Sequence, residues 1–309
     1  MEEIFDVMII GGGAAGLTAG IYSSRARLST LILNEGAVGG QMVLTNEIAN
    51  YPGVETTKGY LLAGIMKDQA KSFGCQIKTN VKITGYELEG EVKKVLLEDG
   101  RRFSARTVIL APGGRPRSLN IPGEEEFKGT GISYCATCDG EFFTGKELVV
   151  IGGGNSALEE ADALTTYASK VTIVHQFDHF QAFEHAVQVA RNNPKIDFIM
   201  ESEPRGFFGN GQLEKVAIEH LPSGNISEVK VGGAFIFVGY LPNTESLKGI
   251  VQMNERNEIV VDSDMKTNIP GVFAAGDCIN KRYRQVTTAV AEGTIAALSA
   301  AEFLRNRPK

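Results

Sequence analysis

Four cysteines in 309 residues are too few for a disulfide framework. Only Cys135 and Cys138 stand close together. Cys75 and Cys278 are each alone, so the four ligands of a structural zinc site are not assembled. Histidine is scarce too. His175 and His179 would share a face only if their segment were helical, and with His185 they read as surface residues rather than metal ligands. No apolar run approaches the roughly 20 residues that a membrane-spanning helix needs. Positive charge is not in excess: 31 Lys and Arg against 37 Asp and Glu leave a net charge of −6, which argues against nucleic acid as the main partner. The start, Met1-Glu2-Glu3, is acidic, unlike the basic start of a signal peptide. The expectation is a cytoplasmic enzyme in a compartment that keeps thiols reduced.

Glycine, by contrast, is plentiful. Thirty-six of them point to tight turns and to close approach of backbone to a ligand. The length accommodates about two domains of ~150 residues. The stretch Cys135-Ala136-Thr137-Cys138-Asp139 holds the chemistry. Two thiols three residues apart can close a small disulfide ring, and such a pair near a βαβ pattern reads as a dithiol that cycles between reduced and oxidised forms. An inert structural disulfide is the bland alternative. Asp139 follows the pair at once, and its bland reading is a solvated loop acid or helix cap.

In chain order, the apolar run Asp6 to Ile10 leads into Gly11-Gly12-Gly13-Ala14-Ala15-Gly16 and then a helical pattern from Leu17 to Arg27. This is a strand, a Gly-x-Gly-x-x-Gly turn and a helix, whose glycines let the backbone approach a pyrophosphate at the positive end of the helix. The next strand, Ser29 to Leu33, ends in Asn34-Glu35, and Glu35 lies 24 residues after Gly11, about where an acid binds a ribose hydroxyl. A helix over Leu61 to Phe73, short strands between Gln76 and Leu97, and a buried strand into Ala111-Pro112-Gly113 follow. Arg115-Pro116-Arg117 reads as a linker. A second strand, Glu147 to Ile151, enters Gly152-Gly153-Gly154-Asn155-Ser156-Ala157, then a helix from Leu158 to Tyr167 and a strand Val171 to Val174. The two glycine turns lie 141 residues apart (152 minus 11), an internal repeat that sets the architecture. Further strands are expected over Lys195 to Glu203, Lys215 to Leu221 and Ala234 to Val238, with a return linker near Pro242-Asn243. The tail carries a strand ending in Gly276-Asp277 and a helix from Val286 to Leu304.

Those pieces resemble the low-molecular-weight thioredoxin reductases. The matching residues are Gly11 to Gly16, Gly39-Gly40-Gln41, Asn50, Cys135 to Asp139, Gly152 to Ala157, Gly276-Asp277 and Arg284-Gln285-Val286, and they cover nearly the whole chain. The resemblance implies an α/β fold of two Rossmann-like, three-layer (ββα) dinucleotide-binding domains, the second inserted in the first. Residues 1–114 and 244–309 would bind FAD, and 115–243 would form the inserted domain with the dithiol. It implies FAD contacts at Gly11, Gly13, Ala15, Gly16, Asn34, Glu35, Gly40, Gln41, Asn50, Val81, Ala111, Gly276, Asp277, Gln285 and Val286. Cys138 would face the flavin, Cys135 would attack the disulfide of thioredoxin, and Asp139 would move protons to and from the departing thiolate. A homodimer is also implied.

One departure from the family pattern bears on the electron donor. NADPH-dependent members follow the second turn's strand with His-Arg-Arg and a further arginine four residues later, groups suited to the 2′-phosphate. This chain has His175-Gln176-Phe177-Asp178-His179-Phe180-Gln181, so the three positions hold Gln176, Phe177 and Gln181. Each lost charge-assisted hydrogen bond costs about 1.5–3 kcal/mol, enough together to weaken NADPH by orders of magnitude. In this the chain is similar to the ferredoxin-dependent flavin thioredoxin reductases, which implies reduced ferredoxin as donor and thioredoxin as acceptor. A basic docking patch for an acidic ferredoxin would then be sought at Lys281-Arg282-Tyr283-Arg284 or at Arg115 and Arg117. The aromatic run Phe177, Phe180 and Phe183 would either fill the vacated groove or pack one helix face. The alternative is an NADH- or NADPH-dependent enzyme with an atypical pocket, with Asp178 favouring NADH. A ferredoxin–NADP reductase lacks the dithiol, and a non-catalytic redox-sensing flavoprotein would not need it.

Overall fold

A computed structural model describes residues 3–45 and 48–306. The chain divides into two compact units, Met1–Arg115 with Leu241–Lys309, and Pro116–Tyr240. The first unit begins with β1 (Ile4–Ile10), α1 (Ala14–Arg25), β2 (Thr30–Leu33), α2 (Gly59–Ser72), β3 (Gln76–Lys78), β4 (Ile83–Glu87), β5 (Lys93–Leu97) and β6 (Arg102–Leu110). β1 is an unbroken apolar run because it is central: it pairs in parallel with β2, Ile9 opposite Ile32, and with β6, Ile9 opposite Ile109. β3 extends this parallel part beyond β2, while β5 and β4 turn back antiparallel beside β6. Side chains alternate across β1. Val7 and Ile9 pack against the helices, and Met8 and Ile10 against the strands and loops of the opposite face.

The second unit contains β7 (Gly114–Pro116, at its boundary), β8 (Ile132–Ser133), the single turn α3 (Ala136–Asp139), β9 (Glu147–Ile151), α4 (Asn155–Leu164), β10 (Lys170–Val174), α5 (Glu184–Asn192), β11 (Ile196–Ile199), β12 (Ser202–Gly209), β13 (Leu213–His220), β14 (Asn225–Lys230), β15 (Gly233–Ile236) and, at the return boundary, β16 (Tyr240–Pro242). Five parallel strands run in the order β11-β10-β9-β15-β8, and β12-β13-β14 form a separate antiparallel meander. The period of two sorts the middle strand again. Leu148 and Val150 face α4 and α5, while Val149 and Ile151 face Phe207, Val216 and Ile218 of the meander. This is a three-layer unit built on a parallel sheet. The chain then returns to the first unit, adding β17 (Val272–Ala274) in parallel beside β6 and closing with α6 (Val286–Arg305). No helix among the described residues is long and apolar enough to cross a membrane.

Several expectations are corrected. The span Lys195 to Glu203 is not one strand but β11 and β12, in different sheets, with Glu201 between them at φ 49° turning the chain. α5 and β14 have no counterpart in the sequence reading. β14 is almost wholly exposed, so no alternation marks it, and α5 buries only Ala186, Val187 and Ala190. The Arg115-Pro116-Arg117 linker includes a short strand, β7, that pairs with β16.

Candidate active site

The first glycine turn joins β1 to α1. Gly11 has φ +104°, and a Cβ there would lie 2.1 Å from the Ala111 carbonyl oxygen, so only glycine fits. A Cβ on Gly16 would lie 1.9 Å from the Gly11 carbonyl oxygen, which is how α1 comes down onto its own turn. Gly13 is the N-cap of α1; it caps with no side chain, and no acid occupies the first turn. The amides at the positive end of that helix therefore face outwards for an anion. Above them a Cβ on Gly13 would meet nothing closer than the Gly40 Cα at 4.0 Å. This open, uncapped cradle fits the pyrophosphate of FAD.

Several of the expected residues are tied to this turn or to one another. Asn34 accepts from the Gly12 N–H at 2.8 Å through Oδ1 and donates through Nδ2 to the Gly36 and Ala37 carbonyls, locking the turn to the end of β2. Glu35 accepts from the Ile83 N–H at 3.0 Å, which commits one carboxylate oxygen and leaves the other for a ribose hydroxyl. Val81 is buried and donates its N–H to the Asn34 carbonyl, and the Ala111 N–H donates to Ile10. Asn50 and Gln285, 235 residues apart, meet at 3.3 Å, and Gln285 with Thr288 forms the capping box that starts α6 at Val286. Gly276 and Ala15 are neighbours: a Cβ on Gly276 would lie 3.0 Å from that of Ala15. Gln41 is exposed in the 3₁₀ turn Gly40–Leu44.

Two residues here carry roles the sequence reading did not assign. Lys281 Nζ lies 3.0 Å from Asp277 Oδ1 and 2.9 Å from Glu292 Oε2, with its side chain only 10% exposed. Glu292, on α6, also accepts from the Gly276 N–H at 2.9 Å, and burial pushes its carboxyl above the ordinary range. Lys281 is thus an internal counter-ion, not part of a docking patch, and Arg284 is likewise engaged with the buried Glu258. Of that basic run Arg282 and Tyr283 are exposed, the guanidinium lying over the ring at 5.2 Å. Arg115 donates to the Asn243 side chain at 2.6 Å, and Arg117 is exposed.

In the second unit Cys135 and Cys138 are joined as a disulfide, with their Cα atoms 5.3 Å apart. Cys135 is the N-cap of α3, and its Sγ accepts from the Cys138 N–H at 3.2 Å, a donor suited to a thiolate. Asp139 ends the same turn. Burial raises its carboxyl above the ordinary range, opposed by a hydrogen bond from the Ser133 hydroxyl at 2.5 Å. The other cysteines are inert: burial pushes the thiol of Cys75 up to about 11 and that of Cys278 to about 12.

Side chains of its own unit pack against the second glycine turn. A Cβ on Gly153 would lie 2.3 Å from the ring of His175, which is itself buried. Phe180 stacks on that ring at 5.7 Å and Phe177 meets it edge-on at 5.3 Å. Segment 176–183 is not helical, which corrects the helix-face reading of the three phenylalanines. Phe180 enters the core, Phe177 is 38% exposed and Phe183 75% exposed. The Gln181 N–H donates to the Gly153 carbonyl at 2.8 Å, so its side chain stands beside the turn, exposed like Gln176. Asp178 is paired with His179 at 2.6 Å, which weakens the one feature that favoured NADH. Among the described residues no cluster of three His, Cys, Asp or Glu is placed to hold a metal ion.

Comparison with known proteins gives the family. Residues 5–293 match the family described as pyridine nucleotide-disulphide oxidoreductase. A thioredoxin reductase of Peptoclostridium acidaminophilum is 42% identical over 311 residues, covering 98% of each chain. A 34.2 kDa protein in the rubredoxin operon of Clostridium pasteurianum is 42% identical over 303 residues, again covering 98% of each. Among solved structures, the thioredoxin reductase of Streptococcus pyogenes MGAS5005 superimposes with a TM-score of 0.95 at 40% identity, over 99% of this chain and 100% of that one.

Proposed function

The chain belongs to the pyridine nucleotide-disulphide oxidoreductase family, and from that premise we propose that it reduces thioredoxin through Cys135 and Cys138. Its cofactor is FAD, the cofactor of the family's thioredoxin reductases. The observation that carries the reading is the closed Cys135–Cys138 ring beside a half-buried carboxyl, Asp139. When bound, FAD supplies an electron pair for that ring. The amides of the first glycine turn hold its pyrophosphate, the free oxygen of Glu35 takes a ribose hydroxyl, and Asp277 takes a hydroxyl of the sugar-like chain. Once the ring is opened, the Cys135 thiolate attacks one sulfur of the thioredoxin disulfide and displaces the other as a thiolate. Cys138 then attacks the Cys135 sulfur of the mixed disulfide. The ring closes and the second thioredoxin sulfur leaves. Asp139 gives a proton to a departing thiolate and recovers it from water.

As electron donor we propose a reduced ferredoxin, delivering two electrons singly. Support comes from residues 175–183, which hold no arginine or lysine for a 2′-phosphate, and from Asp178, already paired with His179. The family description and the names of the relatives, taken alone, support the alternative better: a nicotinamide nucleotide as donor. At the residue level that alternative has the second glycine turn, where Gly154 is the N-cap of α4 and offers no side-chain cap. A homodimer in the cytoplasm belongs to the same proposal, and sedimentation of the holoprotein tests the dimer. The donor is tested by mixing oxidised holoprotein anaerobically with reduced ferredoxin, NADPH or NADH and following the visible absorbance of the flavin. Bleaching by ferredoxin alone, passed on to thioredoxin, is the expected result. Rapid bleaching by either nicotinamide refutes the ferredoxin reading and leaves thioredoxin reduction standing.

A further inference from the structure

Ser133 lies two residues before the dithiol and reads in sequence as a loop end, yet it is buried and makes a connected set of hydrogen bonds. Its Oγ accepts from the Cys135 N–H at 3.1 Å. It has one proton to donate. The Asp139 Oδ2 lies at 2.5 Å and the Cys135 carbonyl at 3.3 Å, so the shorter, charge-assisted contact takes the proton. We infer that Ser133 is a positioning residue for the dithiol chemistry: it holds Oδ2 of Asp139 as a permanent acceptor and so assigns the transferable proton to Oδ1. In a protonated carboxyl the carbonyl oxygen is the better acceptor, so the oxygen that receives the serine proton stays the carbonyl one and the other oxygen carries the proton towards a thiolate. The serine is itself placed by β8 and by the amide of the attacking cysteine, so the acid is aligned to the same backbone that places Cys135.

Little else acts on the carboxyl. Burial and the serine hydroxyl are the two influences on it, and no charged side chain among the described residues contributes. α3 contributes Cys138, and Cys135 is its N-cap. The neighbouring α4 and the turn after it bring Leu164 and Tyr167 against Gly140. A hydrogen bond to the ionised form favours that form. Removing the hydroxyl therefore pushes the acid further up, by about one to two pH units for a charge-assisted bond.

The inference rests on the proposed dithiol exchange, and the test separates the two. Full-length holoprotein is reduced, and the rate at which it reduces a small aromatic disulfide is measured against pH. Wild type shows a limb where the rate falls as Asp139 loses its proton, and Asp139→Asn removes that limb. Ser133→Ala moves the limb to higher pH by about one to two units, and Ser133→Thr, which keeps a hydroxyl, returns it. In the same variants the infrared carboxyl band assigned by Asp139→Asn titrates with the same midpoints. This second measurement needs no turnover. A limb and band that stay in place in Ser133→Ala, or a threonine variant that behaves like alanine, overturn the role of Ser133. A reduced wild-type protein that reacts with no disulfide at any pH overturns the functional reading and this inference with it.

Discussion

Installing arginine at positions 176, 177 and 181 together tests the donor argument most directly. Gln176, Phe177 and Gln181 are exposed, so the new side chains displace nothing from the core. Gln181 is tied through its backbone to Gly153, and Phe183 donates its N–H to Asn155 at 2.7 Å, so the segment is held against the second glycine turn where a bound nucleotide would lie. Exposed ion pairs reach about 1 kcal/mol each, so three guanidiniums on a 2′-phosphate contribute about 3 kcal/mol, or two orders of magnitude in Kd. The loss of the edge-on contact of Phe177 with His175 costs about 0.5–1.5 kcal/mol of stability, a cost borne by free and bound protein alike. Calorimetric titration of the oxidised holoprotein with NADP+ and NAD+ reads the effect without turnover. NADP+ should gain about a hundredfold over wild type while NAD+ changes little. A gain under about tenfold, or an equal gain for both nucleotides, would show that the lost arginines do not govern recognition here.

Further outcomes follow from the first unit. Gly16→Ala places a methyl 1.9 Å from the Gly11 carbonyl oxygen, and the backbone has to open. The expected cost is about 3 kcal/mol or more, read as a lower urea midpoint together with loss of bound flavin. Glu292 has its carboxyl raised in the folded state. Its contribution to stability is therefore full below the unfolded carboxylate value and is lost as pH rises through the folded one. Glu292→Gln should flatten the pH dependence of thermal unfolding in that window, and an unchanged profile would remove Glu292 as its source.

The parallel strands were legible because burial on both faces leaves an unbroken apolar signature, as in Leu148 to Ile151 or Ala234 to Ile236. The glycine turns were legible because close backbone approach tolerates no other residue. What sequence hid has physical reasons too. β14 sits on the edge of the meander with both faces wet, so it carries no alternation. Phe177, Phe180 and Phe183 recur every third residue, yet they lie in the connection before α5, which starts only at Glu184. Lys281 sits in a basic run and looks like surface, but its partners are four and eleven residues on either side and meet it only after α6 packs. The pairing of Asn50 with Gln285 and the Ser133–Asp139 contact depend on tertiary placement that no local pattern encodes.

The two buried thiols have a consequence for how electrons are confined. With its thiol pushed up to about 11, Cys75 is ionised in about one molecule in ten thousand at neutral pH, and Cys278, higher still, in fewer. Thiolates are what attack disulfides, so neither sulfur competes for incoming reducing equivalents or traps a mixed disulfide with a passing partner. The protein handles disulfides for its living while half of its cysteines are insulated, which leaves the circuit a single outlet.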